Sequence, residues 1–310
     1  MAIPHGLLED VSLSKYVVNA RDSIAKYAMV AETTQQLLDG LEFAKQNKLR
    51  YCVVGGGYSL FFPGIYNGLV IKNNCRKFDL VGKRGKFVNG KLMIENAFLF
   101  AESGALLNQI VRYTIDAGFS GLEYQLGLPG TIGGALMTEI PEVSEKRLSV
   151  SLVSVKYVDN AGEVYEVSAG DFLKKKQSGE ELVLLSCIFA LTPEDKKLLW
   201  EKATGETVKR LEKYPENALV CDVFAPVSLS DALRIPTPSN TQEMHVLIQK
   251  AGLLGKTVGG VKVSETYGNT LVAVEDVRRE DVLELVHLMQ QTVEVKFGVA
   301  PKLRIKIFTL

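Results

Sequence analysis

The chain of 310 residues is 46% hydrophobic, which is enough for one large domain or two of ordinary size. Lysine plus arginine and aspartate plus glutamate number 36 each, so no basic excess favours a nucleic acid or an anionic membrane as a partner. No apolar run is long enough to span a bilayer, no signal-peptide pattern opens the chain, and the four cysteines and three histidines lack metal-ligand spacing. We expect a cytoplasmic protein without a structural metal.

Hydrophobic periodicity predicts an α+β protein. The predicted elements of the first part are, in chain order, a strand at 25–30, a helix at 33–45 capped by Thr33, strands at 51–54, 68–71, 91–94 and 97–100, a helix at 104–117, and a meander of strands at 150–158, 163–167 and 182–191. Those of the second part are a charged helix start at 193, a loop at 236–241, helices at 242–251 and 279–296, and a strand at 303–308. This organisation predicts two domains, 1–192 and 205–310.

Two apolar runs of the first domain break into glycines. The first run ends in Gly55-Gly56-Gly57, and the second leads into Gly127-Leu-Pro-Gly-Thr-Ile-Gly-Gly-Ala135. Glycines have no Cβ to cover their backbone N–H groups, and a series of such groups can hold a phosphate. Two glycine loops in one domain indicate a ligand with two phosphates, such as a dinucleotide. Neither loop has the glycine spacing of a Rossmann fold or the Gly-Lys-Ser/Thr of a P-loop.

The two glycine stretches and the residues downstream resemble one family. Val53-Val-Gly-Gly-Gly-Tyr-Ser-Leu60 is similar to its V-x-G-G-G-S-N-L loop, and Gly121–Ala135 is similar to its G-L-E-x-x-x-G-I-P-G-T-x-G-G-A segment. Leu247–Gly255, Gly259–Glu265 and Lys296–Val299 resemble its C-terminal domain in the same order. The family is MurB, the UDP-N-acetylenolpyruvoylglucosamine reductases of peptidoglycan synthesis.

The resemblance implies a vanillyl-alcohol-oxidase-like (PCMH-type) FAD-binding domain followed by a MurB-type C-terminal substrate domain. It also implies FAD as cofactor, NADPH as reductant, a UDP-sugar as substrate, and a monomer or weak oligomer. The cofactor-binding residues that follow from the matched loops are Val54, Gly55, Gly56, Gly57, Tyr58, Ser59, Leu60, Gly121, Glu123, Gly127, Pro129, Gly130, Thr131, Gly133, Gly134 and Ala135. Two of these have a second interpretation, since Tyr58 replaces a serine and could crowd a phosphate, and Glu123 could simply close its loop.

The catalytic positions of the family carry other residues in this chain. Lys176 lies nearest the position of an arginine that polarises the substrate carboxylate, so the charge is kept but the planar guanidinium is lost. The proton-donating serine or cysteine is replaced by Asp222 or, with a shift of one residue, by Cys221. An aspartate donates a proton only if burial raises its pKa. Lys302 stands where the family has a glutamate, which reverses the charge.

These substitutions leave three hypotheses open. The first is a MurB-type reductase that transfers hydride from NADPH through FAD to UDP-N-acetylglucosamine enolpyruvate, and we place it first because the resemblance covers the whole chain. The second is a flavoprotein of the same fold with a different substrate. The third is a non-catalytic nucleotide-binding relative that keeps only the scaffold. Fold alone does not decide among them.

Overall fold

The computed structural model describes residues 3–20, 22–62, 64–138, 147–235 and 243–308. The described residues group into two compact units. The first unit contains those up to Tyr58 and those from Gly64 to Thr207, and the second contains residues 59–62 and those from Val208 on. Residues 59–62 thus group with the second unit, although the predicted division assigned them to the first domain. The domain limits 1–192 and 205–310 stay a prediction.

The first unit opens with a four-stranded sheet and one helix. The elements are β1 (Leu8–Ser12), β2 (Ile24–Ala31), α1 (Thr34–Gln46), β3 (Arg50–Val54) and, after the short strand β4 (Leu60–Phe61) of the second unit, β5 (Ile65–Asn73). The strand order is β1-β2-β5-β3, with β5 parallel to β2 and β3 and with β1 antiparallel to β2. Because parallel strands end at the same edge of a sheet, the loop after Val54 lies where β2 and β5 also end.

Helix α1 forms for the reasons that the sequence suggests. The Thr33 side chain accepts a hydrogen bond from the Gln36 amide at 3.2 Å, which satisfies one of the free donors at the helix start. The apolar side chains of α1 recur at helical spacing, so they share one face, which packs against the sheet. The buried residues of this contact are Leu37, Leu41 and Ala44 on the helix and Met29, Leu69 and Ile71 on β2 and β5.

The first unit continues with a six-stranded antiparallel sheet covered by helices. Its elements are β6 (Phe78–Val88), β7 (Lys91–Glu102), α2 (Leu107–Asp116), β8 (Phe119–Ser120), α3 (Ile132–Thr138), β9 (Leu152–Val158), β10 (Val164–Ser168), α4 (Ala169–Gln177) and β11 (Val183–Pro193). The strand order is β10-β9-β11-β7-β6, and β8 pairs with the end of β11. Its largest apolar core lies between this sheet and α2, α3 and α4. This core fixes the start of α3 and therefore the second glycine loop.

A buried chain of polar groups joins the two sheets of the first unit. The Asn73 side-chain amide donates to the Ser103 hydroxyl at 2.8 Å, and that hydroxyl donates to the Leu184 carbonyl at 2.6 Å. Asn73 ends β5, whereas Leu184 lies in β11, so the chain runs from one sheet to the other. Each member has a partner, as buried polar groups require. The Ser103 carbonyl also accepts from the Gly133 amide at 2.9 Å, which attaches α3 to the same point.

The second unit is built around a four-stranded antiparallel sheet and two packed helices. Its elements are the end of α5 (Lys196–Lys213), β12 (Ala218–Cys221), α6 (Leu229–Arg234), α7 (Met244–Ala251), β13 (Thr257–Val258), β14 (Val261–Val263), β15 (Thr270–Ala273), α8 (Arg279–Phe297) and β16 (Lys306–Ile307). The strand order is β12-β15-β14-β13, and β16 pairs in parallel with β4. Within the ranges that the structure describes, no helix has the length and apolar character needed to cross a membrane.

The predicted α+β class is confirmed, but several element predictions are wrong. The strands predicted at 91–94 and 97–100 are one strand, β7, and its partner β6 was not predicted. Most of β6 is exposed and carries glycines and cations, so it lacks the apolar signal of a buried strand. The strand predicted at 303–308 is reduced to β16, because β4 offers only two residues for pairing. The loop predicted at 236–241 lies outside the described residues.

Candidate functional site

The two glycine loops lie against each other in the first unit. A Cβ built on Gly56 would lie 2.7 Å from the Cα of Gly130 and 2.7 Å from Cδ2 of the Tyr58 ring. A Cβ on Gly55 would collide with the Thr131 hydroxyl oxygen. Real Cβ atoms do not approach other atoms this closely, so the loops meet only because both positions lack a side chain. The close approach of the two predicted glycine loops therefore has a steric basis.

This surface presents backbone donors that the protein does not use. In the described part of the chain, the amides of Gly56, Gly57, Tyr58, Gly130 and Thr131 donate no hydrogen bond to a protein acceptor. Neighbouring backbone N–H groups without acceptors form an anion-binding concavity. The left-handed φ of +82° at Gly57 and of +104° at Gly130 is a conformation that glycine adopts without strain. The cradle therefore fits the two phosphates of a dinucleotide such as FAD.

Other residues of the matched loops support the cradle rather than line it. The amides of Gly133, Gly134 and Ala135 are already bonded, to the Ser103 carbonyl, the Thr131 hydroxyl and the Thr131 carbonyl. A Cβ on Gly133 would lie 2.7 Å from the Ser103 carbonyl oxygen, so glycine is needed here for packing. These three residues hold the start of α3 in place behind the open amides.

The second loop is closed by Glu123, as the simpler interpretation of this residue predicts. Its carboxylate is completely buried and accepts from the Gly121 amide at 2.6 Å and from the Ser120 hydroxyl at 2.9 Å. Asn108 accepts from the Gly127 amide at 2.7 Å and fixes the next turn. The remaining matched positions are Val54, buried at the end of β3; Pro129, which is exposed; and Ser59 and Leu60, which belong to the second unit.

The second unit contains a buried carboxylate, Asp222, which is 4% exposed. Its Oδ2 accepts a hydrogen bond from the Tyr214 hydroxyl at 2.7 Å, and its Oδ1 accepts one from the Asn269 side-chain amide at 3.3 Å. The Arg304 guanidinium lies 3.6 Å from Oδ2 and is itself only 10% exposed. Desolvation by burial raises the pKa of Asp222, although the Tyr214 hydrogen bond and the charge of Arg304 act in the opposite direction. Asp222 also has a left-handed φ of +57°.

Aromatic rings and a lysine lie beside this carboxylate. The Tyr267 ring packs edge-on against Tyr214 at 5.4 Å and stacks on His245 at 4.6 Å. The Lys213 ammonium lies 4.1 Å from the centroid of the Tyr267 ring, a cation–π distance. His245 accepts from the Gly268 amide through Nδ1, and burial together with Lys213 lowers the pKa of its imidazole. The cluster thus combines a carboxyl group, two cationic side chains and an imidazole whose pKa is lowered.

The other predicted catalytic residues have different surroundings. Cys221 is exposed at the end of β12. Partial desolvation by the surrounding protein and the charge of Asp222 raise the pKa of its thiol. Lys176, on α4 of the first unit, is half-buried and donates to the Leu136 carbonyl of α3 at 2.6 Å. The side chain of Lys302 is exposed, and its backbone carbonyl accepts from the Ala225 amide. Of the four, Asp222 is the one fully enclosed by polar partners.

The sequence analysis missed four members of the cluster: Tyr214, Asn269, Lys213 and Arg304. Only Arg304 carried a usable signal, because it lies two residues after Lys302 in the stretch compared with the family's E-P-E-V-R. The other three come from the end of α5 and the loop before β15, and neither segment shows a motif.

We expect Gly56→Ala to weaken FAD binding by at least about tenfold, because the new methyl group must displace Gly130 or Tyr58 and distort the open amides. Gly205→Ala is the matched control, since a Cβ at this position of α5 meets nothing within 4 Å. The measurement is the quenching of FAD fluorescence on titration with protein freed of flavin. Unchanged FAD affinity in a folded Gly56→Ala variant would show that the cradle does not bind the cofactor.

Comparisons with known proteins agree with both parts of the chain. Residues 25–168 match the family described as "FAD binding domain", and residues 224–308 match the family described as "UDP-N-acetylenolpyruvoylglucosamine reductase, C-terminal domain". Two relatives named UDP-N-acetylenolpyruvoylglucosamine reductase are those of Chlamydia muridarum, 26% identical over 99% of this chain and 96% of its own, and Caldicellulosiruptor bescii, 28% identical over 94% and 87%.

A solved structure has the same fold over nearly the full length. The MurB of Thermus caldophilus covers 96% of this chain and 98% of its own, with a TM-score of 0.71 and 20% identity. The first family match contains the glycine cradle. The second match contains Asn269 and Arg304 of the Asp222 cluster, whereas Lys213, Tyr214 and Asp222 itself precede its first residue, 224. The chain therefore belongs to the MurB family, with an FAD-binding domain followed by a MurB C-terminal domain.

Proposed function

We propose that this protein is an FAD-dependent reductase that reduces the enolpyruvyl group of UDP-N-acetylglucosamine enolpyruvate, with NADPH as reductant, in the synthesis of a peptidoglycan precursor. The observation that carries the proposal is the alignment of relatives with this reductase name along 99% and 94% of the chain. The flavin, when bound, supplies hydride transfer, and the protein supplies orientation, charge and a proton. The open amides of the glycine cradle support the cofactor assignment.

Asp222 is the best candidate for the proton donor. Reduction of a carbon–carbon double bond requires a proton for one carbon after hydride reaches the other. A carboxyl group can donate it only if its pKa lies near the working pH, and burial moves the pKa of Asp222 in that direction. The left-handed backbone of Asp222 is a second indication, since a non-glycine residue in that region commonly marks a functional position.

Lys213 and Arg304 are candidates for binding the anionic groups of a UDP-sugar substrate. Within the described residues, no carboxylate lies within ion-pair distance of Lys213, whose ammonium instead lies over the Tyr267 ring. Arg304 contacts Asp222, so its guanidinium charge lies next to the candidate proton donor. Lys176 and Lys302 remain predicted candidates for the same role.

The partner and location follow the same proposal. The substrate is a small nucleotide-sugar, and the protein is a monomer or weak oligomer in the cytoplasm. All four cysteines are free thiols, and free thiols persist in a reducing compartment.

The proposal is tested by the visible spectrum of the purified protein under anaerobic conditions. We expect a flavin spectrum that bleaches with NADPH and returns when the enolpyruvyl nucleotide is added. Bleaching without any response to the nucleotide would support a flavoprotein with a different substrate. A colourless protein that cannot be loaded with FAD would contradict the reductase proposal and favour a nucleotide-binding role.

Asp222→Asn and Cys221→Ala separate the two candidates for the proton donor. We expect Asp222→Asn to lower turnover by about 100-fold or more, the usual contribution of a general acid, while NADPH still reduces the flavin at the wild-type rate. Cys221→Ala should retain turnover. Wild-type turnover should also fall as the pH rises through the raised pKa of Asp222, because the donor is then ionised. Full activity of a folded Asp222→Asn variant would remove Asp222 from this role.

Lys213→Met is expected to raise KM for the nucleotide by about tenfold or more, because a charge-assisted contact to a phosphate or carboxylate is lost. Flavin binding and reduction by NADPH should be unaffected. Lys302→Met tests the competing candidate, an exposed lysine with the same charge. Steady-state kinetics decide the matter: if KM rises for Lys302→Met and not for Lys213→Met, the substrate anion is held at the position that the sequence indicates.

A further inference from the structure

A half-buried lysine, Lys72, lies next to the glycine cradle. It is on β5, where it pairs with Val54 in the parallel ladder of β3 and β5. Val54 is the residue immediately before Gly55, so Lys72 lies at the same edge of the sheet as the first glycine loop. Its position is set by the sheet register and not by a flexible loop.

One carbonyl group connects the Lys72 ammonium to the glycine loop. The ammonium donates to the Tyr16 carbonyl at 2.9 Å. A Cβ built on Gly57 would lie 3.0 Å from that same oxygen and 2.9 Å from the Cα of Val17, and the Val18 amide donates to the Gly57 carbonyl at 3.3 Å. The segment Tyr16–Val18 therefore forms a wall that both Lys72 and Gly57 contact. The Lys72 ammonium and the Gly57 Cα thus lie on two sides of the same carbonyl oxygen.

None of the described residues neutralises the charge of Lys72. Among the described residues no carboxylate forms an ion pair with it, and the charged group that most affects it is Arg76, which has the same sign. Desolvation by burial and the charge of Arg76 lower the pKa of Lys72, which means that the free protein disfavours this cation. A buried charge without a counter-ion costs free energy.

The simpler interpretation is that Lys72 only holds the Tyr16 carbonyl. A neutral donor would do so at a lower desolvation cost, since a single carbonyl acceptor uses one of the three ammonium N–H groups. A negative charge would stabilise the remaining N–H groups of the Lys72 ammonium, its positive charge and the neighbouring amides that have no acceptor among the described residues. An anion at the cradle satisfies the three together.

We propose that Lys72 is a cofactor-binding residue, whose ammonium provides the counter-charge for the diphosphate that the amides of Gly56 and Gly57 hold. The inference rests on the proposed FAD-binding function and adds a residue that the glycine motif does not contain. The ligand class is the diphosphate of a dinucleotide or nucleotide. Lys72 makes binding selective for phosphate-bearing flavins over riboflavin.

The experiment measures binding and not turnover. Full-length protein freed of flavin is titrated into FAD and into riboflavin, with fluorescence quenching as the readout, and ADP is tested as a competitor. The variants are Lys72→Gln and Lys72→Met, which are neutral, and Lys72→Arg, which keeps the charge. Lys26→Met is the matched control, because Lys26 is an exposed lysine on the adjacent strand β2. Circular dichroism verifies that each variant is folded, and two neutral variants guard against misfolding of one.

We expect the neutral variants to bind FAD about 10- to 100-fold more weakly, the range for a lost charge-assisted hydrogen bond, and to bind riboflavin unchanged. ADP should lose affinity to the same extent as FAD. Lys72→Arg and Lys26→Met should remain close to the wild type. The FAD affinity of the neutral variants should also depend less on salt, since one cation no longer contacts the phosphates.

Wild-type FAD affinity in a folded neutral variant would overturn the inference. Equal weakening of FAD and riboflavin would overturn it as well, because a general distortion of the site would then explain the loss. A wild-type protein that binds no FAD would instead contradict the proposed function, so the two failures are distinguishable.

Discussion

The cofactor site depends on one steric constraint, the contact between the backbones at Gly56 and Gly130. Because there is no room for a methyl group on Gly55 or Gly56, the two loops share a surface made of main chain alone. The surrounding structure serves to maintain this approach. Glu123 closes the second loop from within the core, and Ser103 ties α3 to both sheets of the first unit. The cradle is thus a product of the whole unit.

The same constraint has an electrostatic cost. Among the described residues, several main-chain N–H groups of the cradle have no acceptor and the half-buried Lys72 has no counter-ion, and both features are unfavourable in the free protein. A bound diphosphate satisfies both, so binding free energy and fold stability are coupled at this edge of the sheet. Sites that keep such unsatisfied groups sacrifice stability for function. The retained cradle therefore favours a protein that uses its cofactor over one that keeps only the scaffold.

The sequence predicted what depends on local pattern. The glycine loops could be found because the absence of Cβ atoms is written directly in the sequence, and α1 could be found from Thr33 and its apolar spacing. Strand β6 could not, because its glycines and cations give no burial signal. Tyr214 and Asn269, the hydrogen-bond partners of Asp222, could not either, since they come from separate segments that only the folded chain brings together. Lys72 was missed for the same reason.

The surroundings of Asp222 explain how an aspartate can serve where the family has a serine or cysteine. A hydroxyl or thiol keeps its proton at neutral pH without help, whereas a carboxyl group must be prevented from ionising. Burial does this, but burial alone would make the carboxylate left after proton transfer too unstable to form. The Tyr214 hydroxyl and the Arg304 guanidinium stabilise that carboxylate and limit the rise in pKa. Burial and these two partners therefore act in opposite directions on the pKa of Asp222, and the proposed role of general acid depends on the balance between them.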